Sequence, residues 1–254
     1  MKKWVKIFLI VVGAIFIVSF VWFDLFFWSG NNKNFEQNLM NAAQNNNVII
    51  IFNSGGFGIV SPEKAWDFDP IIKGIQRTAG SLGHNAAVVP YYRTEDSLLG
   101  KAAYFKEVLF GFPKESKYLA NELEKFSKQN PTKKIIMAGL SNGAAFADVT
   151  MAKIKCCEKS ISALEFGTPF WIKKQAKENI LYFNNNGRDS FSEGNIFTLL
   201  WSGIKAPFIM AYTRIINKPI SYPEAMSVPG HQYAWQDVGP QVSNFISNEL
   251  SQPQ

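Results

Sequence analysis

Ile135-Ile136-Met137-Ala138-Gly139-Leu140-Ser141-Asn142-Gly143-Ala144-Ala145 runs from an apolar segment through Gly-x-Ser-x-Gly into small, helix-compatible residues. This is the sequence form of a strand, a sharp turn and a helix with a serine at the apex. Lys133 to Ala138 reads as the strand, and Ala144 to Ile154 as the helix. A turn this tight strains the serine backbone, and the flanking glycines let neighbouring backbone come close. Ala144, Ala145 and Ala147 let the helix sit tightly against a sheet.

Working outward, Val48-Ile49-Ile50-Ile51-Phe52 is too continuously apolar for a half-exposed strand and suits a buried parallel one. Asp69-Pro70 offers an N-cap followed by proline at the first helical position. Ile71, Ile72, Ile75, Ala79 and Leu82 then keep one apolar face until Gly83. Ala86 to Tyr91 reads as a strand, and Tyr118, Leu119, Leu123 and Phe126 as a helix stopped by Pro131. Ile161 to Phe166 and Ile180 to Phe183 read as buried strands with a short helix, Trp171 to Lys177, between them. Val242, Phe245, Ile246 and Leu250 mark a terminal helix. Alternating strands and helices predict an α/β fold, a mainly parallel sheet with helices on both faces, in one domain over residues 48–254.

The Gly-x-Ser-x-Gly turn in this context resembles the nucleophile elbow of the α/β-hydrolase family, the lipase- and esterase-like serine hydrolases. The resemblance spans residues 48–250 and implies a nucleophile, a histidine and an acid in that family's chain order. It assigns Ser141 as nucleophile and His231, in the loop Val228-Pro229-Gly230-His231-Gln232-Tyr233 before the last helix, as base. His84, the other histidine, precedes the second strand at the wrong edge of the sheet. The acid falls on Asp189, after the strand that follows the elbow by two; Glu165, at the end of the next strand, is the alternative. Glu193 and Asp237 are weaker alternatives, and Arg188 offers Asp189 a plain surface ion pair instead. For an oxyanion hole the resemblance implies the N–H of Asn142 and a donor from Asn53-Ser54-Gly55-Gly56-Phe57-Gly58, open between Gly55, Gly56 and Phe57. Asn53-Ser54 stands where lipases and esterases carry a histidine before the glycines. No Lys-Ser/Thr pair follows Gly58, which argues against a nucleotide-phosphate loop.

Residues 1–30 read as an N-terminal membrane anchor. Ile7 to Phe23 carry no charge, and at 1.5 Å per residue they reach about 25 Å. The run resumes from Leu25 to Trp28, and Trp4, Trp22 and Trp28 suit the two interfaces. The run is too long for a signal-peptide core, and bulky aromatics occupy its end, so an uncleaved anchor is expected. Lys2, Lys3 and Lys6 predict a cytoplasmic N-terminus and a periplasmic or extracellular domain. Residues 31–47, polar and Asn-rich, read as a tether with room for one short helix.

Composition narrows the partners. With 47% apolar residues the chain can bury a large core, and its net charge of +6 is spread without a basic block, so nucleic-acid binding has no support. The two cysteines, Cys156 and Cys157, are adjacent and imply neither a disulfide framework nor a zinc site. No metal or organic cofactor is expected. The apolar segment Ile196 to Ile216, within a possible lid over residues 190–225, is either a lid that also touches lipid or a core helix. Lys205 and Pro207 near its middle argue against a second membrane span. The expected activity is hydrolysis of a small-molecule or lipid ester or thioester. The alternatives are a non-catalytic protein of the same fold that binds lipid or protein, and a peptidase or acyltransferase using the same serine.

Overall fold

The computed structural model describes residues 34–220 and 225–251. The expected membrane anchor, residues 1–30, lies outside them. Five strands, β1 (Val48–Asn53), β2 (Ala86–Pro90), β3 (Lys134–Leu140), β4 (Ile161–Phe166) and β5 (Ile180–Phe183), form one sheet. Their order is β2-β1-β3-β4-β5, and every pairing is parallel.

The helices are α1 (Phe35–Asn45), α2 (Asp69–Ser81), α3 (Leu98–Leu109), α4 (Glu115–Gln129), α5 (Asn142–Lys153), α6 (Ile196–Ile215) and α7 (Trp235–Ser251). Alternation along each strand divides the core in two. Ile49, Ile51, Ile135 and Met137 face Leu39 of α1, Leu119 and Leu123 of α4, and Phe146 and Met151 of α5. Val48, Ile50, Phe52, Ile136 and Ala138 face Ile71 and Ile75 of α2 and Val242 and Ile246 of α7. Burying each of these large side chains contributes about 1.5–3 kcal/mol, which is why the strands read as continuous apolar runs. Gly74 lets α2 meet α7 closely, since a Cβ there would fall 2.2 Å from the Trp235 ring.

The chain steps outward from β1 to β2 and then returns past β1 to β3. The loops leaving β1 and β3 therefore part at one point on the C-terminal edge of the sheet, where open α/β sheets leave a crevice. Ser141 follows β3 at that point.

The one short helix for which the tether had room is α1, whose Phe35, Leu39 and Ala43 recur every four residues and are buried against the sheet. One expectation needs correction. Residues 171–177 form no helix. Their backbone is held instead by Tyr182 Oη, which donates to Gln175 O at 2.9 Å, and by Asp148 Oδ1, which accepts from Gln175 N–H at 3.1 Å. Segment 196–216 is helical but not a core helix, since only Ser202 and Ala206 of α6 are buried. One further helix, α3, had no counterpart in the sequence reading.

Candidate active site

The elbow is strained as its sequence requires. Ser141 has φ 56° and ψ −122°, a backbone region costing on the order of 1–3 kcal/mol for a residue with a side chain. Its N–H donates to Phe166 O at 2.8 Å and its carbonyl accepts from Ala145 N–H at 3.0 Å, so β4 and α5 hold the turn from both sides. Both motif glycines are sterically demanded. A Cβ on Gly143 would lie 2.1 Å from Asn53 O, and one on Gly139 would lie 2.5 Å from Gly143 O.

Beside the serine runs the loop from Ser54 to Gly58. A Cβ on Gly55 would come within 3.6 Å of Ser141 Cβ, so this backbone passes directly by the nucleophile position. Four of the loop's carbonyls are tied back: Ser54 O accepts from Arg93 Nη2, Gly55 O from Gly58 N–H at 3.1 Å, Gly56 O from Tyr104 Oη at 2.7 Å, and Gly58 O from Arg93 N–H at 3.0 Å. The N–H groups of Gly55, Gly56, Phe57 and Asn142 donate to no acceptor among the described residues. Asn142 opens α5, where N–H groups have no partner within the helix and the helix dipole favours negative charge.

Arg93 organises this side of the site and was not anticipated. It is fully buried, and its Nη1 donates to Tyr104 Oη at 2.7 Å and to Asn142 O at 2.8 Å. One guanidinium thus joins the glycine loop to the residue after Ser141. Burial holds its pKa below the ordinary arginine value, against the rings and hydroxyl of Tyr104 and Tyr91, which favour the charge. The faces of Tyr104, Phe112 and Phe146 lie 5.3–5.9 Å from the guanidinium carbon. Only its position just after β2 hinted at this role.

On the other side, Asp189 is completely buried and hydrogen-bonds His231 Nδ1 at 2.9 and 3.1 Å. It also accepts from Tyr233 Oη at 2.5 Å, Ser192 Oγ at 3.2 Å, and the N–H groups of Phe191 at 2.9 Å and Ser192 at 3.3 Å. Burial works to raise the Asp189 pKa, but the bonds and charge of His231 and the bond from Tyr233 outweigh it and hold the carboxyl below its usual range. An ionised carboxylate only accepts, so Nδ1 carries a proton, which in the neutral imidazole leaves the lone pair on Nε2. Tyr233 stays neutral, its pKa raised by burial and by Asp189. Tyr233 lies two residues beyond His231, within the loop that drew attention in the sequence; Ser192 lies three beyond Asp189.

Gly167, directly after β4, makes room for the imidazole. Its φ is +66°, and a Cβ there would lie 2.5 Å from His231 Cε1. Ser141 bonds the carbonyl one residue earlier, so serine and histidine share the edge between β3 and β4. Ser141 Oγ and His231 are not hydrogen-bonded to each other in this structure.

Other candidates fall elsewhere. Glu165 is buried with Thr168 Oγ1, which donates to it at 3.1 Å, and His231 bonds Asp189 instead. Burial first, then the charge of Asp148, pushes the Glu165 pKa well above the usual range. Glu193 accepts from Asn184 Nδ2 at 2.8 Å, and Asp237 sits in the first turn of α7. His84 pairs with Asn47 at 3.1 Å, beside the N-terminal end of β1. Asp189 forms no ion pair with Arg188 among the described residues. Cys156 and Cys157 are free thiols, and no group of three or more His, Cys, Asp or Glu fit for a metal occurs among the described residues.

No family model matches the chain, and no curated protein matches it. Among solved structures the chain is similar to a Trichoderma reesei cutinase in complex with a C11Y4 phosphonate inhibitor. That likeness has a TM-score of 0.43 and 15% identity, and covers 85% of this chain and 89% of that one. The chain is also similar to an acetylxylan esterase, with a TM-score of 0.44 and 12% identity over 80% of this chain and 98% of that one.

Proposed function

We propose that the protein is a serine hydrolase that cleaves carboxylic esters or thioesters, held to a membrane by residues 1–30 with its domain outside the cytoplasm. The observation that carries this reading is the buried Asp189–His231 pair on the same sheet edge as the strained Ser141 and its unpartnered N–H groups. Nε2 of His231 takes the Ser141 hydroxyl proton as Oγ attacks the carbonyl carbon, and Asp189 stabilises the imidazolium that results. The N–H of Asn142 and one from Gly55, Gly56 or Phe57 receive the oxyanion. The proton passes to the departing alcohol or thiol, and water, activated by the same imidazole, releases the acid from the acyl-serine. The serine–histidine bond forms on approach of the two side chains, and catalytic bonds of this kind are often long in unliganded enzymes and tighten when substrate binds.

A fluorophosphonate probe tests the reading on the full chain in detergent micelles. Covalent labelling at Ser141, absent in Ser141→Ala, is the expected result. A wild-type chain that is folded, unlabelled, and inert towards short-chain esters and thioesters ends the hydrolase reading and leaves a binding protein of this fold.

A further inference from the structure

Helix α6 is built inside out. Phe197, Ile204, Phe208 and Ile215 are spaced seven, four and seven apart and fall within about 40° of one line along the helix. All four face outward, with Phe197 and Ile215 each 79% exposed and Phe208 73% exposed. The opposite face, which turns inward, carries the small residues Ser202 and Ala206. Lys205 and Arg214 flank the stripe about 80–100° to either side, and no acidic residue occurs from Gly194 to Pro223.

Helix α3 repeats the pattern. Leu98, Phe105 and Leu109 are 88%, 62% and 64% exposed along one line, with Lys101 and Lys106 on its two sides; Lys101 pairs with Asp96 at 2.7 Å. These two helices follow β2 and β5, the two edge strands of a parallel sheet, so they leave from the same edge as Ser141 and bracket it. Tyr104 of α3 bonds the glycine loop, and the N–H of Asn195, just before α6, bonds Ser190 O beside Asp189. Exposed Phe57 lies against Tyr104, and exposed Trp171 reaches His231 through Phe191.

The chain enters at that edge too. The ring of Phe35, which begins α1, packs 5.0 Å from Tyr91, just past the end of β2. Only Ser29 to Asn34 separate Phe35 from the apolar N-terminal run, a reach of about 20 Å when extended. We infer that the outward stripes of α6 and α3 dock the active-site edge onto the surface of the anionic bilayer that holds the N-terminal segment. The ester is then drawn from that bilayer; this last clause rests on the serine-hydrolase reading, whereas the docking does not.

Lying on the surface fits α6 better than crossing it. The helix is about 30 Å long and is apolar enough to span by length and composition. Yet on its far side the Pro229 carbonyl accepts from Ser190 N–H at 3.1 Å, so both flanks of the segment return to one place. Crossing would drag Lys218 and Glu224 back through hydrocarbon. Outward apolar residues between cations are instead the composition of an interfacial helix, with lysine and arginine reaching lipid phosphates.

The test uses the full chain in phosphatidylcholine vesicles, with and without phosphatidylglycerol, carrying a phospholipid with a photoactivatable diazirine in its acyl chain. Lipid adducts on peptides from 196–216 and 98–110, increased by phosphatidylglycerol, are expected. Adducts confined to the N-terminal segment, with none on peptides from 196–216 and 98–110, overturn the docking. A variant with Phe197→Gln, Ile204→Gln, Phe208→Gln and Ile215→Gln changes only exposed positions. It should hydrolyse a soluble short-chain ester as the wild type does and lose about tenfold or more on a long-chain ester embedded in the vesicles. Unchanged hydrolysis of the embedded ester overturns the proposed route to substrate. If wild type cleaves neither ester yet takes lipid adducts on α6, docking stands and the hydrolase reading falls.

Discussion

Asp189 and Glu165 are both fully buried carboxyls near the elbow, yet their surroundings push them in opposite directions. Asp189 collects donors from His231, Tyr233, Ser192 and Phe191, which keep it ionised in spite of burial. Glu165 has one hydroxyl donor and a second carboxyl, Asp148, whose charge opposes its own, so it favours the neutral acid. An acid that must stabilise an imidazolium has to be charged, a state the surroundings favour for Asp189 and oppose for Glu165. Asp189→Asn should therefore lower turnover of a soluble ester by about 10³–10⁴-fold, while Glu165→Gln should leave it within about threefold. Comparable losses in the two variants, measured on folded protein, would refute the assignment. Arg93 belongs at this scale as well. Its guanidinium touches no substrate position but ties Ser54 O to Asn142 O, the backbone on both sides of the proposed oxyanion site. Arg93→Met leaves those carbonyls and Tyr104 Oη short of a donor, so kcat should fall by about 10–10²-fold with KM for a small ester little changed. A purely structural role would instead lower the fraction of labelled, active protein and leave kcat per active site unchanged, which titration with the fluorophosphonate distinguishes.

Elements differ in how plainly they were written, and the reason is which way their side chains point. All five strands stood out as apolar runs, since a parallel strand covered on both faces needs apolar residues at nearly every position. Helices α2, α4 and α7 showed their inward stripes at helical spacing, and α5 was carried by the elbow. Helix α1 was legible only as room for one short helix in a tether, because Phe35, Leu39 and Ala43 suffice to bury one face while asparagine and glutamine fill the rest. For α6 composition was visible and direction was not, and α3, also apolar on its outer face, went unread: an apolar residue facing solvent and one facing a core look alike along a chain. The site divides in a similar way. Ser141, Asp189 and His231 lie in local patterns with a chain order, so they could be picked out and the structure brings the latter two into contact. Arg93 and Tyr104 reach the glycine loop across 39 and 48 residues of sequence, and no local pattern reports such a contact. The helix expected over 171–177 fails for the same reason, because Asp148 and Tyr182 take its backbone groups from outside the segment.

For the molecule as a whole, buried acids make stability depend on pH in a direction that can be worked out. Asp189, with its pKa lowered below 3.8, adds stability above that pH and loses it as the pH falls further. Glu165, Asp148 and Glu249 behave in the opposite sense, since burial raises each of them. Their contribution is complete below the ordinary carboxyl range and is lost as the pH rises through the raised values. Asp148 on α5, Glu165 on β4 and Tyr182 on β5 lie together behind the elbow, and Asp148 Oδ2 and Glu165 Oε1 have no hydrogen-bond partner among the described residues. Ionising either leaves one buried carboxylate oxygen without a donor, although Asp148 Oδ1 and Glu165 Oε2 each keep theirs. At the alkaline end Tyr91, Tyr104, Tyr182 and Tyr233 are all raised, first by burial, so the fold loses their contribution above pH 10. Thermal unfolding of the full chain in micelles should accordingly show its highest midpoint in mild acid and a decline through neutrality. Glu165→Gln should flatten that decline, because each unit by which the folded pKa exceeds the unfolded one costs about 1.4 kcal/mol once the pH passes both. The variant should match wild type near pH 4 and exceed it at pH 8. A midpoint that climbs steadily from pH 4 to pH 8 in wild type and variant alike would mean that these buried acids are ionised in the fold, against the environment the structure gives them.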